Sequence, residues 1–260
     1  MAAIRIRTAV LIIMLSTVLT GSIFSQNSIV TQISTIDALM AGLYDGEYQT
    51  GQLKMFGDFG IGTFNSLDGE MVMLNNNVYK LKSNGEAELV DDKSLTPYAV
   101  VTHFNPSEVA SSVSFGSMKE LGKILDGMLK SENYFYAVKL TGTFSAVKVR
   151  SVPKQARPYI PLVEVIKKQS EFNFENIKGT LVGFRCPSFV KGINVPGYHF
   201  HFISEDLKSG GHLLEVQASA VKYQIQQLNG FKLLLPGDEE FMKVNLNADR
   251  TNELNKVEKK

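Results

Sequence analysis

His199 and His201 stand two residues apart in Gly197-Tyr198-His199-Phe200-His201-Phe202-Ile203, and His212 follows after Lys208-Ser209-Gly210-Gly211. Successive side chains of a β-strand alternate between faces, so as a strand this stretch turns both imidazoles one way and Tyr198, Phe200 and Phe202 the other. One face is nitrogen ligand and the other is core. The connection Ser204-Glu205-Asp206-Leu207-Lys208-Ser209-Gly210-Gly211 is polar and carries two glycines, which predicts a hairpin that sets His212 beside the pair. The chain has four histidines and three of them fall here. Three neutral imidazoles, with the remaining positions left to water or substrate, are the ligand set of an open catalytic zinc site. Iron, manganese or copper accept the same ligands. The fourth, His103, reads as a strand residue, because Val101 and Phe104 beside it look like core.

The elements that must position these residues have to be built from a chain of 260 residues, 44% hydrophobic, with 16 Phe and 9 Tyr, enough for a substantial core. Its formal charge of +1, from 27 basic and 26 acidic residues, gives no electrostatic reason to expect nucleic acid; a small neutral or anionic substrate fits better. Arg5 and Arg7 precede the apolar run Ala9-Val10-Leu11-Ile12-Ile13-Met14-Leu15, and small residues follow at Gly21, Ser22 and Ser25. This pattern predicts a secretory signal peptide over 1–25, since the run is shorter than the roughly 20 residues of a spanning helix. The mature chain is then expected outside the cytoplasm, periplasmic or extracellular, with no membrane association after cleavage. The single cysteine, Cys186, has no partner for an intrachain disulfide and reads as a structural thiol.

Along the mature chain, Ser34 or Thr35 is placed to cap a short helix running through Asp37 to Tyr44. Gly57 to Asn65, a turn at Ser66-Leu67-Asp68-Gly69 and Glu70 to Leu74 predict a hairpin, with further strands at Val78 to Leu81 and Tyr98 to Phe104. Ser117-Met118-Lys119-Glu120 has the form of a capping box before an apolar helical stripe. Strands are then expected at Tyr134–Thr141 and Ala146–Val152, and a short helix from Pro161 to Lys167 with proline in its first turn. Beyond it, strands at Gly179–Phe184, the histidine hairpin and Val216–Ile225 make a second sheet, before Phe231–Leu235 and a polar tail. Strand runs broken by isolated short helices predict an α+β fold with a sheet in each of two halves, 26–155 and 156–260, the second carrying the metal-binding hairpin and the tail. Gly62-Thr63-Phe64-Asn65 recurs as Gly142-Thr143-Phe144-Ser145, a hint of internal duplication.

The histidine hairpin, the run from Gly57 to Glu70 (GDFGIGTFNSLDGE) and Arg150-Ser151-Val152-Pro153-Lys154-Gln155 together closely resemble acetolactate decarboxylase, over a span from about Thr35 into the tail. The resemblance implies a two-part α/β fold with a sheet in each half, a zinc ion, a homodimer, and conversion of 2-acetolactate to acetoin and carbon dioxide. It places the zinc ligands on His199, His201 and His212, the active-site arginine on Arg150 and a first active-site glutamate on Glu70. A second glutamate comes from the tail, where Glu258 is the best match and Glu253 competes. Without the resemblance, Glu70 reads as a solvated strand residue and Arg150, near a strand end beside Lys148, as part of an exposed stripe. Thr63, on a glycine-rich strand where backbones approach closely, is expected to line the substrate pocket.

Two other classes share some of these features. His-x-His followed by Glu205 and a glycine resembles the first motif of a cupin-type metal oxygenase or isomerase, with Glu205 as a fourth ligand, although the second cupin motif is missing after His212. An exported binding module with a structural zinc is the third class; one cysteine and three clustered histidines argue against it, since structural zinc sites close with four protein ligands, often cysteine.

Overall fold

The computed structural model describes residues 28–106 and 111–258, so the expected signal peptide lies outside the described residues. The first stretch contains β1 (Ile29–Ile33), α1 (Ile36–Met40), β2 (Tyr48–Gln49), α2 (Thr50–Leu53) and β3 (Phe59–Thr63), followed by β4 (Glu70–Leu74), β5 (Asn77–Leu81), β6 (Ala87–Leu89), β7 (Leu95–Thr96) and β8 (Ala99–Thr102). Next come β9 (Ser112–Phe115), α3 (Met118–Asp126), β10 (Phe135–Ser151), α4 (Leu162–Val165) and β11 (Ser170–Cys186). The chain continues through β12 (Gly197–Ser204), β13 (Gly210–Leu228), β14 (Gly230–Leu234), α5 (Glu239–Lys243) and α6 (Thr251–Glu258).

This is the expected α+β architecture, with two large sheets and a few short helices. One sheet has the order β14-β1-β8-β3-β4-β5-β6, antiparallel except where β1 runs parallel to β14. The other has the order β10-β11-β12-β13-β9, and β10 also pairs with β13, so β10 to β13 close on themselves. Strand membership crosses the expected boundary at 155: β9 and β10 belong to the second sheet, and β14 returns to the edge of the first.

Local signals explain most of the helix starts. Thr35 caps α1 by accepting from the Ala38 N–H, and Ser117 caps α3 by accepting from the Glu120 N–H. Pro161 is the residue before α4 rather than a member of its first turn. The two strands expected at 134–141 and 146–152 are one strand, β10. Gly142, in the stretch between them, pairs with Gly179 on one side and Val221 on the other, so hydrogen bonds on both edges keep the backbone extended. The expected strand at Gly179–Phe184 is likewise only the distal part of the 17-residue β11.

The apolar residues sort into layers. Phe200 and Phe202 face the interior of the closed sheet with Val138, Leu140, Phe144, Leu181 and Val216. A larger cluster fills the space between the sheets, with Phe59, Ile61, Val72 and Leu81 from one meeting Ala137, Val182, Phe184 and Ile203 from the other, joined by Leu254 and Val257 of α6. Alternation along β12 therefore turns His199 and His201 toward the space between the sheets. The β3–β4 connection delivers Glu70 there. Ser66 and Leu67 are held at positive φ, and the Thr63 hydroxyl donates to the Gly69 carbonyl at 2.6 Å. Gly69 has φ +83, and a Cβ there would meet the Leu81 carbonyl oxygen at 2.5 Å. Replacing Gly69 with alanine is expected to lower stability by about 1–3 kcal/mol, from strain and from displacement of β5. A urea denaturation midpoint equal to that of the wild type would contradict this.

Candidate active site

The three histidines converge as the hairpin reading predicts. His201 on β12 is paired directly with His212 on β13, and His199 lies two residues along on the same face. Each offers a ring nitrogen, and these atoms lie within 4.8 Å of one another. All three rings are buried, His201 to 1% exposure. His201 Nδ1 lies 2.7 Å from the carbonyl oxygen of Met71 on β4. A carbonyl only accepts, so Nδ1 carries the hydrogen and Nε2 is left bare, an outer hydrogen bond of the kind that orients metal-ligating imidazoles.

Burial, with the Arg150 guanidinium acting in the same direction, pushes His199 down to about 3. His201 and His212 are held well below the usual histidine range, again chiefly by burial. All three are thus neutral near pH 7, as metal ligation requires.

The donor set fits a metal ion. His201 Nε2 is buried without a hydrogen-bond partner among the described residues, a cost that a ligand would relieve. His199 Nε2 and His212 Nδ1 stand 3.1 Å apart, close to the roughly 3.3 Å between two nitrogens on one tetrahedral ion with bonds of 2.0–2.1 Å.

Carboxyls flank the cluster on two sides. Glu70 Oε2 is 3.7 Å from His201 Nε2, while Glu258 Oε2 is 3.6 Å from His212 Nε2 and 3.8 Å from His199 Nε2. Both side chains are largely enclosed, at 11% exposure for Glu70 and 8% for Glu258, so the reading of Glu70 as a solvated strand residue is corrected: it opens β4 where that strand faces the second sheet. Burial pushes the Glu70 carboxyl up to about 7, with Arg150 opposing the rise and Glu258 adding to it. Glu258 ends α6, which is anchored by Leu254 and Val257 in the core between the sheets. The competing Glu253 points elsewhere, pairing with Arg250 at 3.1 Å with its side chain 40% exposed. Glu205, the fourth ligand of the cupin reading, sits in the exposed turn, 3.9 Å from Lys178. His103 lies just past β8, outside the cluster.

Arg150 is 3% exposed, not part of an exposed stripe. The cause is an irregularity in the pairing of β10 with β13. Lys148 pairs with Glu215 but Val149 with Leu213, so Leu214 is an extra residue and Arg150 comes to face His212. Bulges re-aim side chains in this way and favour active sites. The guanidinium is under-partnered for a buried cation: Nε has no partner, and Nη1 donates to Gln169 Oε1 at a long 3.4 Å. An anion in the cavity would satisfy it.

The cavity, about 420 Å³ of atom-free space counted together with its opening to solvent, is lined by the histidines, Glu70, Glu258, Arg150 and Thr63, with Ile36, Leu39, Leu67, Val152 and Leu162 as an apolar wall. Thr63 lines it as expected, but its hydroxyl hydrogen is already given to Gly69, leaving only lone pairs for a ligand. Tyr98 also lines the cavity. From the sequence it read only as the first residue of a strand after Pro97, and nothing local marks it otherwise.

A cation for a carboxylate, neutral imidazoles for a Lewis acid, and carboxyls that can carry a proton, all enclosed in one small cavity, are the parts of a carboxy-lyase. The chain belongs to the alpha-acetolactate decarboxylase family, whose family model matches residues 30–248. It is 46% identical over 233 residues to the alpha-acetolactate decarboxylase of Methanosarcina mazei, covering 90% of this chain and 81% of that protein. It is 43% identical over 231 residues to the alpha-acetolactate decarboxylase of Brevibacillus brevis, covering 89% and 81%. The crystal structure of alpha-acetolactate decarboxylase from Bacillus subtilis strain 168 superposes with a TM-score of 0.87 at 36% identity, covering 90% of this chain and all of that one. Glu258 lies beyond the segment matched to the family model; the fold sets its carboxyl beside His199 and His212.

Glu70 binds its proton more tightly in the folded chain, at about 7 against an ordinary 4.5. It therefore contributes stability that is complete below pH 4.5 and lost as pH rises through about 7. In the metal-free protein, Glu70→Gln should be progressively more stable than the wild type from pH 4.5 upward, by up to roughly 3 kcal/mol near pH 8. The histidines are common to both proteins and cancel. A pH-independent difference in thermal midpoint would refute the assignment of a buried, proton-holding Glu70.

Proposed function

We propose that this enzyme is a zinc-dependent decarboxylase that converts 2-acetolactate to acetoin and carbon dioxide, with His199, His201 and His212 as the metal ligands. The observation that carries the reading is the enclosure of three neutral imidazoles, two carboxyls and an under-partnered arginine in one cavity with an apolar wall. Zinc held by the three histidines would supply a Lewis acid to the substrate's ketone and hydroxyl oxygens and neutralise the negative charge that develops on the ketone oxygen.

The chain's own residues do the rest. Arg150 takes the substrate carboxylate, replacing its lost hydration with charge-assisted hydrogen bonds. Ile36, Leu39, Leu67, Val152 and Leu162 receive the two methyl groups and keep water out. When the bond between C2 and the carboxylate breaks, its electron pair passes into a C2–C3 double bond and onto the former ketone oxygen. Carbon dioxide leaves, and an enediolate remains that needs one proton at C2. Glu70 is assigned as the donor, because burial raises its carboxyl to about 7 and so leaves it partly protonated near neutral pH. Glu258, across the cluster, orients the hydroxyl end, and Thr63 offers an acceptor from the wall. The mature enzyme is exported after removal of the 1–25 leader and works as a homodimer.

Removing the metal with a chelator should abolish acetoin formation, and zinc should restore it. His201→Ala should leave the protein unable to bind zinc stoichiometrically and at least about 10³-fold less active, in line with the loss of a metal ligand. Full activity with no bound zinc would overturn the metal assignment. Truncation after Asn255, which removes Glu258, is expected to cost turnover but not the fold. Retained turnover would take Glu258 out of the site. The proton donor is separable by stereochemistry: Glu70→Gln should still release carbon dioxide, slowly, but yield acetoin of lowered enantiomeric purity by chiral chromatography. If Glu258→Gln scrambles the product and Glu70→Gln does not, the donor is Glu258.

A further inference from the structure

Tyr98 is 2% exposed and lines the cavity together with Glu258, whose charge it feels. Behind it lies a chain of buried amides, and the direction of every bond in that chain follows from its far end. Gln32 Nε2 faces two backbone carbonyls, Ser34 at 2.7 Å and Ile193 at 2.6 Å. Carbonyls only accept, so the nitrogen must be there and Oε1 must be the acceptor on the other side. Asn194 therefore donates through Nδ2 to Gln32 Oε1, at 2.6 Å. Its Oδ1 then accepts from the Val195 N–H at 2.6 Å and meets the Tyr98 hydroxyl at 3.3 Å. Oδ1 carries no hydrogen, so Tyr98 must donate. Its hydrogen is committed to the protein, and only the lone pairs of Oη remain for the cavity.

Acceptors for a ligand's hydrogen are few in this cavity. Arg150 can only donate, so a hydroxyl there has the Glu258 carboxylate, the Thr63 lone pairs left after its bond to Gly69, and Tyr98 Oη, whose own hydrogen is fixed on the far side. A substrate hydroxyl enclosed among these groups needs an acceptor for its hydrogen, because a buried donor left unpaired is costly. We propose that Tyr98 Oη accepts the hydroxyl hydrogen of a small 2-hydroxy acid in this cavity, with Asn194 and Gln32 as positioning residues that keep the tyrosine hydrogen turned away. For turnover, the hydroxy acid is the 2-hydroxy-3-oxo acid of the decarboxylase reading, and the inference rests on that reading for the substrate's identity. Sites built to hydrogen-bond a hydroxyl discriminate strongly against analogues that lack it.

The test uses the zinc-loaded mature chain and its Tyr98→Phe variant. The substitution leaves Asn194 Oδ1 bonded to the Val195 N–H, so no acceptor is stranded. Zinc content and thermal midpoint serve as controls for the fold. Two probes with the same carboxylate and quaternary carbon, 2-hydroxyisobutyrate and pivalate, differ only in hydroxyl against methyl, and their affinities are read by calorimetry. The wild type should prefer the hydroxy acid. Tyr98→Phe should cut that preference about tenfold by weakening the hydroxy acid alone, and should lower kcat/KM for acetolactate by a similar factor. No preference in the wild type, an unchanged preference in the variant, or equal weakening of both probes would each overturn the proposal. The binding comparison needs no turnover, so a chain that shows the predicted shift but makes no acetoin would keep the Tyr98 assignment and lose the decarboxylase reading.

Discussion

The cost of taking charge out of water governs this molecule. Three imidazoles, a guanidinium and two carboxyls share a closed space between two sheets, and the protein holds them there by keeping most of them neutral. Burial drives the histidines below their usual range and Glu70 above its own. The one permanent cation, Arg150, is left under-partnered. Each of these states is unfavourable for a protein that only has to fold. Each is what a site needs if it is to take up a metal cation and a substrate anion.

The scaffold that bears this strain is the pairing of β10 with both β11 and β13. Closing the second sheet gives the hairpin histidines a rigid backing of Phe200 and Phe202 on the inner face, so that alternation alone commits His199 and His201 to the outer one. The first sheet then supplies what the second lacks. Met71 orients His201 through its carbonyl, and Glu70, one residue earlier, brings the carboxyl. Leu254 and Val257 attach the last helix to the core between the sheets and so present Glu258. The wall of aliphatic side chains completes a low-dielectric enclosure in which such charges act more strongly than in water.

Much of this was legible in the chain. The two-residue spacing of His199 and His201, with a glycine-bearing return to His212, predicted one face of ligands. The α+β class followed from strand runs broken by short helices. The capping residues Thr35 and Ser117 marked two helix starts correctly. Reading β10 as two strands failed because nothing local in Gly142 to Ser145 tells that the stretch is paired along both of its edges. Arg150 looked like an exposed residue because its neighbour Lys148 is solvated, and no local pattern announces the extra residue at Leu214 in the partner strand.

The sequence by itself determined which residues share a face, since strand alternation is a local property of the backbone. It determined that His199, His201 and His212 come together for the same reason: the two strands of the hairpin are contiguous in the chain. Only the tertiary structure decided how far those groups are from water, which of their hydrogens are free, and which distant residues meet them. Glu258 at the end of the chain, Tyr98 with its proton turned toward Asn194, and Arg150 opposite His212 are all consequences of long-range pairing. Burial and hydrogen-bond direction are set by neighbours brought together from far apart in the chain, and no local window contains them.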